Sequence, residues 1–324
     1  RQWGSKTPGH PESHITAGVE VTTGPLGQGI TNAVGMAMAE AHLAKRYNRP
    51  DHCIVDHYTY VIAGDGDLME GVASEACSLA GHLGLGKLIV FYDNNRISLA
   101  GSTGLSFTED VAARFEAYGW HTLEITDGSD LPAIDDAVTS ARQETKKPSL
   151  ILVNTIIGFG SPNKQGTFSA HGSSLGEEEL RKAKKELGWP QDEEFFIPEE
   201  VLDHFRTAIV AGNAWEDGWN QDFERYGKAY PESAEEFHRI FSGELLQNWD
   251  ENLLEALPKK GSQATRKCSE TVLQNLAAHI PELMGGSADL NPSTFSWLKD
   301  RGDFQSPSLS KQGVQGDVGG SWDY

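Results

Sequence analysis

Two short motifs contain the residue types that hold a metal ion and a phosphate group. Gly64-Asp65-Gly66 and Asn94-Asn95 each follow an apolar run. Asp65 offers a carboxylate oxygen, Asn95 an amide oxygen, and the backbone carbonyl of Ile97 could supply a third. Oxygen ligands of this kind suit Mg²⁺ or Ca²⁺, with diphosphate oxygens and water completing the shell. Gly66 would let the backbone approach a phosphate closely. A plain turn and an asparagine cap are the alternative roles of the two motifs.

Strands that alternate with helices must position these motifs. Apolar runs at 60–63, 88–92 and 150–153 predict buried strands. Apolar residues at helical spacing predict three helices, at 28–47, at about 70–82 and at 130–146. This alternation predicts an α/β fold: right-handed βαβ units forming a parallel sheet with helices on both faces. One helical crossover brings both motifs to the carboxyl edge of the sheet, where open α/β sheets bind ligands.

The sequence changes character near Leu175. Residues 176–260 are rich in Glu, Lys and aromatic residues and show mostly helical periodicity. After Gly261 a helix at 266–279 and a short strand near 283–284 predict a second α/β unit. We therefore expect a first domain at 1–185, a helical connection at 186–260, and the beginning of a second α/β domain at 261–324.

Charge and cysteine content exclude several classes of protein. The 324 residues have a formal net charge of −20, which argues against binding to nucleic acid or to an anionic membrane surface. No apolar run approaches the length of a membrane span. The three cysteines lie far apart without a CxxC pair, so a disulfide framework and a structural zinc are both disfavoured. A reducing, cytoplasmic location is the expectation.

Longer stretches of the chain resemble transketolases. They are TPGHPE at 7–12, TTGPLGQG at 22–29, GDGDLMEG at 64–71, FEAYGW at 115–120, ATR at 264–266 and GGSADL at 285–290. They occur in the family's order over nearly the whole chain. The resemblance implies a transferase of the pentose phosphate pathway or the Calvin cycle. It would use thiamine diphosphate to move a two-carbon ketol group between sugar phosphates, from xylulose 5-phosphate to ribose 5-phosphate or erythrose 4-phosphate.

The resemblance also implies a cofactor site. Residues 1–185 correspond to the diphosphate-binding domain and 261–324 to the start of the pyrimidine-binding domain. In the family the cofactor lies at the interface of a homodimer. By similarity, Asp65, Asn95 and the Ile97 carbonyl hold the metal. The implied cofactor-binding residues are Gly24, Leu26, Asp65, Gly66, Glu70, Asn95, Ile157 and His171, with Gly24 and Leu26 facing the aminopyrimidine and Ile157 near the thiazolium.

Further roles follow from the same resemblance. His10 and His171 match family histidines that contact sugar hydroxyls and the reacting oxygens, and a near-neutral pKa suits histidine to proton transfer. Glu70 matches a catalytic carboxylate close to the subunit interface. Arg266 matches the arginine that clamps the sugar phosphate, and Ser293 would add a hydroxyl contact to that phosphate. Asp289 matches an aspartate near the cofactor.

Two alternatives to transketolase remain open from the sequence. Dihydroxyacetone synthase shares the cofactor site and uses formaldehyde as acceptor. A catalytically inactive transketolase-like partner protein is the second. Family members carry further histidines before the GHPE segment and a pyrimidine-activating glutamate beyond the position of Tyr324. We therefore expect the 324-residue chain to be inactive on its own.

Overall fold

The computed structural model describes residues 3–251, 253–257, 261–287, 289–309 and 314–323. Ala288 of the GGSADL motif lies outside the described residues. The chain divides into two compact units, 1–43 with 55–208 and 44–54 with 209–324. None of the helices in the described part is long and apolar enough to cross a membrane.

Ten α-helices, eight strands and two short 3-10 helices (Thr103–Leu105 and Phe168–Ala170) make up the regular structure of the described residues. The helices are α1 (Gln28–Tyr47), α2 (Asp65–Met69), α3 (Gly71–Leu83), α4 (Val111–Ala117), α5 (Leu131–Gln143), α6 (Glu177–Glu186), α7 (Glu199–Ala229), α8 (Pro231–Phe241), α9 (Thr265–His279) and α10 (Asn291–Thr294). The strands are β1 (Thr59–Gly64), β2 (Leu88–Asn94), β3 (Ile97–Ser98), β4 (Gly101–Ser102), β5 (His121–Ile125), β6 (Ser149–Asn154), β7 (Asp303–Phe304) and β8 (Gly320–Ser321).

The first unit is built on a parallel sheet, which confirms the predicted fold class. Its strand order is β1-β2-β6-β5, and each neighbouring pair is parallel. Consecutive residues Leu88, Ile89 and Val90 of β2 are fully buried, as are Leu150 and Ile151 of β6. Burial of successive residues means that both faces of the central strands are covered.

Helices of the first unit pack on this sheet through small residues. Ala137 and Ala141 of α5 form one core cluster with Ile89, Ile125 and Ile151 of the strands. Small side chains on α5 let the helix approach the sheet closely, so branched strand residues fill the space between them. The sheet is therefore a rigid base for the loops at its carboxyl edge.

The second unit begins with an aromatic cluster. Trp219 and Phe223 of α7 stack with ring centroids 4.9 Å apart, and Phe223 packs against Phe237 of α8 at 5.2 Å. The Arg46 guanidinium and the Tyr47 hydroxyl both donate hydrogen bonds to Glu236, at 2.7 and 2.8 Å.

Later segments of the second unit test two predictions about secondary structure. Helix α9 confirms the helix predicted at 266–279. The strand predicted near Leu283 and Met284 is wrong, because these residues form no β-ladder. Gly285 and Gly286 follow immediately, and no strand among the described residues pairs with this short apolar run.

Candidate functional site

Three adjacent strands end at the same edge of the sheet. Gly64 is in register with Asp93, and Asn94 is in register with Asn154. Asp65, Asn95 and Thr155 therefore follow strand ends that lie side by side. The two motifs singled out in the sequence lie together, and the segment after β6 joins them.

Asp65 is the most buried carboxylate at this edge. The residue is 4% exposed. The Tyr92 hydroxyl donates to Asp65 Oδ1 at 2.5 Å, and the Arg96 backbone N–H donates to Oδ2 at 3.1 Å. Burial raises the pKa of Asp65, against the lowering effect of these two hydrogen bonds. Bonds to both oxygens fix the orientation of the carboxylate.

The chain reverses sharply between Asn95 and Ile97. Arg96 has φ +60°, a left-handed conformation that is rare for a residue with a side chain. Asn95 Oδ1 accepts the Ile97 N–H at 3.0 Å, and Asn95 Nδ2 donates to Asp93 Oδ2 at 3.2 Å. Because Asp65 accepts the N–H of Arg96, the GDG motif is bonded directly to the turn that carries Asn95 and Ile97.

Ile157 and His171 lie on one loop that follows β6. The Gly166 N–H donates to the Ile157 carbonyl at 2.8 Å, so the loop folds back on itself. Both residues line an open pocket together with Asp93, Asn95 and Thr155. Within the described structure His171 Nδ1 is buried and has no hydrogen-bond partner. A buried polar atom without a partner is uncommon, and at a pocket wall it suits a ligand.

His10 and Gly24 are in direct contact. A Cβ built on Gly24 would lie 2.5 Å from His10 Nδ1, so any larger residue at position 24 would displace the imidazole. Leu26, in the same loop, lies over Gly66, since a Cβ built on Gly66 would be 3.2 Å from a Leu26 δ-carbon. Residues expected to face the aminopyrimidine therefore lie beside the residue expected to meet the diphosphate.

Glu70 stands between α2 and α3 and packs against the same loop. A Cβ built on Gly27 would lie 2.9 Å from Glu70 Cβ. The helix predicted at about 70–82 is confirmed as α3, which begins at Gly71 and ends at Leu83. The short helix α2, which begins at Asp65 within the GDG motif and ends at Met69, was not predicted.

The remaining predicted site residues belong to the second unit. Arg266 is the second residue of α9, and its guanidinium donates to the Ser293 carbonyl at 3.3 Å. The same guanidinium lies 5.5 Å from the centroid of the Phe295 ring. Asp289 has φ +64° and precedes α10. Arg266 and Ser293 are brought together, although Arg266 bonds to the backbone carbonyl of Ser293 rather than to its hydroxyl.

Comparison with known proteins decides the family. Residues 1–246 match the family model described as the transketolase, thiamine diphosphate binding domain. The chain belongs to the transketolase family. It is 56% identical over 306 residues to the transketolase of Nostoc sp. and 52% identical over 311 residues to that of Bacillus subtilis, covering 94% and 96% of this chain.

Solved transketolase structures share the fold. The Pichia stipitis transketolase in complex with sedoheptulose-7-phosphate matches with a TM-score of 0.92 at 46% identity over the whole chain. The Leishmania mexicana transketolase matches with a TM-score of 0.87 at 49% identity over 92% of the chain. The chain covers 46% of the Nostoc and Bacillus proteins, and 47% and 44% of these two structures. It thus spans about half the length of the transketolases it matches.

Several supporting residues of this transketolase-family site were not predicted. They are Tyr92, Asp93, Thr155, Asp67 and Glu179. Thr155 donates a hydrogen bond to Asp93, and Glu179 accepts the Ser161 hydroxyl at 2.6 Å and the Asn163 N–H at 2.8 Å. Their roles depend on strand register and loop path, for which the local sequence gave no signal. The sequence showed only that Tyr92 and Asp93 immediately precede the NN motif.

Proposed function

We propose that the protein carrying this chain is a transketolase. It transfers a two-carbon ketol group from a ketose phosphate such as xylulose 5-phosphate to an aldose phosphate such as ribose 5-phosphate or erythrose 4-phosphate, in the pentose phosphate pathway. The observation that supports this best is the bond from the Arg96 N–H to Asp65, which joins the GDG motif to Asn95 and Ile97. Family membership, given above, supports thiamine diphosphate as the cofactor.

A divalent cation, Mg²⁺ or Ca²⁺, fits the donor atoms at the strand edge. The proposed ligands are the Asp65 carboxylate, the Asn95 amide oxygen and the Ile97 carbonyl, all hard oxygen donors. In the described part of the chain no group of three or more His, Cys, Asp or Glu side chains could hold a metal. Three protein oxygens do not fill the coordination shell of either ion, so diphosphate oxygens and water would complete it.

Thiamine diphosphate supplies the carbon nucleophile and the electron sink for ketol transfer. The protein's residues bind, orient and move protons. Ile157 and Leu26 offer apolar surface to the rings, and the lack of a side chain at Gly66 would let a phosphate approach the backbone. His171, whose buried Nδ1 has no partner in the described structure, would hydrogen-bond a bound reactant. His10, held against Gly24, would exchange protons with a sugar oxygen.

Residues of the second unit are proposed to bind the sugar phosphate. Arg266 carries a planar guanidinium suited to two-point contact with a phosphate. The contact with the Phe295 ring holds this guanidinium, and the N–H groups that do not donate to the Ser293 carbonyl stay available. Ser293 would add a hydroxyl and Asp289 would lie near the cofactor. The Pichia stipitis complex with sedoheptulose-7-phosphate supports a sugar-phosphate substrate.

A homodimer with shared active sites is proposed from exposed groups on α3. Val72 and Leu79 are each 45% exposed, and the exposed Glu75 lies between them on the same helix face. Large apolar residues that flank a carboxylate suit a partner subunit better than water. Glu70, at the start of α3, would take part in the same interface. We further propose that the protein is cytoplasmic. We also propose that the 324-residue chain is inactive on its own.

Activity assays on the protein with its native flanking sequence test this function. Xylulose 5-phosphate serves as the ketose, in the presence of thiamine diphosphate and Mg²⁺. Ribose 5-phosphate and formaldehyde are compared as acceptors. Turnover with ribose 5-phosphate that is lost in Asp65→Ala supports the proposal. Turnover with formaldehyde alone indicates dihydroxyacetone synthase, and bound cofactor without turnover indicates a non-catalytic relative.

A further inference from the structure

Asp67 links two segments of the site through one carboxylate. Its Oδ1 accepts the Gly27 backbone N–H at 3.0 Å, and its Oδ2 accepts the Gly64 backbone N–H at 2.9 Å. Gly27 closes the loop that carries Gly24 and Leu26. Gly64 ends β1 and directly precedes Asp65. Nothing in the function proposed above uses Asp67.

The Gly24–Gly27 loop packs directly against the residues that follow Gly64. Gly27 is buried with φ +78°, and a Cβ there would lie 2.9 Å from Glu70 Cβ and 3.0 Å from a Val72 methyl group. Leu26 meets Gly66 at 3.2 Å by the same measure. Apolar contact and backbone shape therefore seat the loop on α2, while Asp67 provides the polar link. Bonds from neutral donors to an ionised carboxylate are stronger than bonds between neutral groups.

We infer that Asp67 is a positioning residue that fixes the separation between the Gly24–Gly27 loop and the turn at Gly64–Gly66. The inference rests on the proposed function and deepens it. The loop is proposed to face the aminopyrimidine and the turn to meet the diphosphate, so Asp67 sets the length of ligand that the site accepts. Asparagine at this position keeps one acceptor oxygen and turns an amide donor toward the other N–H.

A ligand that contacts both segments should bind more weakly when Asp67 is replaced. The affinity of a ligand that contacts only the turn should hardly change. In the protein with its native flanks, we expect Asp67→Ala and Asp67→Asn to raise the Kd of thiamine diphosphate with Mg²⁺ by about tenfold. This is the size expected for one or two lost hydrogen bonds. The Kd of inorganic diphosphate with Mg²⁺ should change by less than about twofold. Titration calorimetry measures both values.

Asp130→Asn is the matched control. Asp130 accepts the Ala133 N–H at 3.1 Å as the cap of α5, and neither residue is part of the site. The Asp130→Asn variant should have the same Kd as wild type for both thiamine diphosphate and inorganic diphosphate. A second readout is amide hydrogen exchange in the cofactor-free protein, where Gly27 and Gly64 should exchange faster in both Asp67 variants. Asp67→Asn keeps the side-chain volume, so its Kd values and exchange rates test the inference even if Asp67→Ala folds poorly.

The outcomes separate the inference from the function on which it rests. Equal weakening of thiamine diphosphate and inorganic diphosphate would show that Asp67 only supports the turn, and would overturn the inference. An unchanged Kd for thiamine diphosphate would overturn it as well. Wild-type protein that binds inorganic diphosphate and fails to bind thiamine diphosphate would instead refute the proposed function, and the inference with it.

Discussion

The imidazole of His10 lies directly against the α-carbon of Gly24. A methyl group at position 24 would be 2.5 Å from His10 Nδ1, well inside van der Waals contact. His10 is exposed, so it can move away, and the Gly24→Ala protein should still fold. What the substitution changes is the position of the histidine relative to the loop at 24–27.

Gly24→Ala is therefore expected to reduce activity more than stability. Overpacking of this size costs about 1–3 kcal/mol, which a mobile side chain relieves by moving. We expect kcat/KM for the ketose phosphate to fall at least about tenfold. Gly35→Ala is the control, because nothing lies within 4 Å of a Cβ built there and the residue is in α1. It should keep full activity and gain about 0.5–1 kcal/mol of stability. Equal activity of the two variants would contradict this role of His10.

Tyr92→Phe should weaken metal-dependent cofactor binding at acidic pH. The hydroxyl of Tyr92 lowers the pKa of Asp65 against burial, so its removal raises that pKa further. Protons compete with the metal for the carboxylate, and the pH at which cofactor affinity falls should move upward in the variant. The midpoint is obtained by measuring the Kd of the cofactor with Mg²⁺ at a series of pH values between about 5 and 8. A midpoint unchanged from wild type would argue against Asp65 as a metal ligand.

The pH dependence of stability due to Asp65 has the opposite sign to that of a carboxylate whose pKa is lowered by folding. The folded-state pKa of Asp65 is raised, so the protonated side chain stabilises the folded state. This contribution to the free energy of unfolding is fully present below the ordinary aspartate pKa. That contribution is lost as the pH rises through the raised pKa. Without metal, wild type should therefore lose stability relative to Asp65→Asn over this window, measured by thermal unfolding. A gain in relative stability over the same window would contradict the raised pKa.

Glu179→Gln should loosen the loop that carries Ile157 and His171. Glu179 accepts hydrogen bonds from Ser161 and Asn163, and these bonds lower its pKa to about 2. The neighbouring Glu178 bonds only to Lys182 among the described contacts, so Glu178→Gln is the matched control. Glu179→Gln should show faster proteolysis at 161–167 and weaker cofactor binding, and the control neither.

The pH dependence of the Glu179 effect has a defined direction. A lowered folded-state pKa means that the stabilisation is present above the ordinary glutamate pKa of about 4.5. It is lost as the pH falls from there toward 2. The stability difference between wild type and Glu179→Gln should therefore shrink over this interval. A difference that stays constant from pH 6 to pH 3 would mean that the charge of Glu179 does not hold the loop.

Arg266→Gln should act on phosphorylated substrates alone. A charge-assisted contact with a phosphate contributes about 1.5–3 kcal/mol, so the KM for a ketose phosphate should rise at least about tenfold. The KM for an unphosphorylated ketose should be unchanged. Lys267→Gln is the control, since Lys267 lies over the same Phe295 ring at 6.0 Å. Similar KM increases in both variants would point to loss of general positive charge.

Subunit association should depend on the exposed face of α3. Val72→Asp and Leu79→Asp each place a second carboxylate beside Glu75, which like-charge repulsion and desolvation make unfavourable in an interface. We expect the dimer to dissociate at micromolar concentration in sedimentation experiments. Leu131→Asp, which alters an exposed leucine at the start of α5, should leave the dimer intact. A stable dimer in all three variants would place the interface elsewhere.

Strands with long apolar runs were predictable from the sequence, and one polar strand was not. β1, β2 and β6 coincide with runs of Val, Ile, Leu and aromatic residues. β5 reads HTLEI, where polar and charged residues take three of the five positions, and Ile125 is its only buried residue. A strand with so few apolar residues has a composition that indicates a strand only weakly.

The candidate site was predictable where neighbouring residues carry the chemistry. Asp65, Asn95 and Ile97 lie within two compact motifs. The partners that orient them come from register and packing: Tyr92 reaches Asp65 only because β1 and β2 pair in parallel. Asp67 reaches Gly27 across forty positions of sequence, a contact that no local pattern encodes.

The position of β6 between β2 and β5 has a consequence for folding kinetics. β2 cannot pair with its second parallel neighbour until β6 is in place, and β6 follows three strands (β3, β4 and β5) and two α-helices (α4 and α5) in the chain. Pairings between distant segments form slowly, because a long loop must close before any contact stabilises it. Asp93 and Thr155, which meet across β2 and β6, would be among the last residues to reach their native contact. Thiamine diphosphate would therefore bind only chains that have completed this pairing, and its capture would report the end of folding.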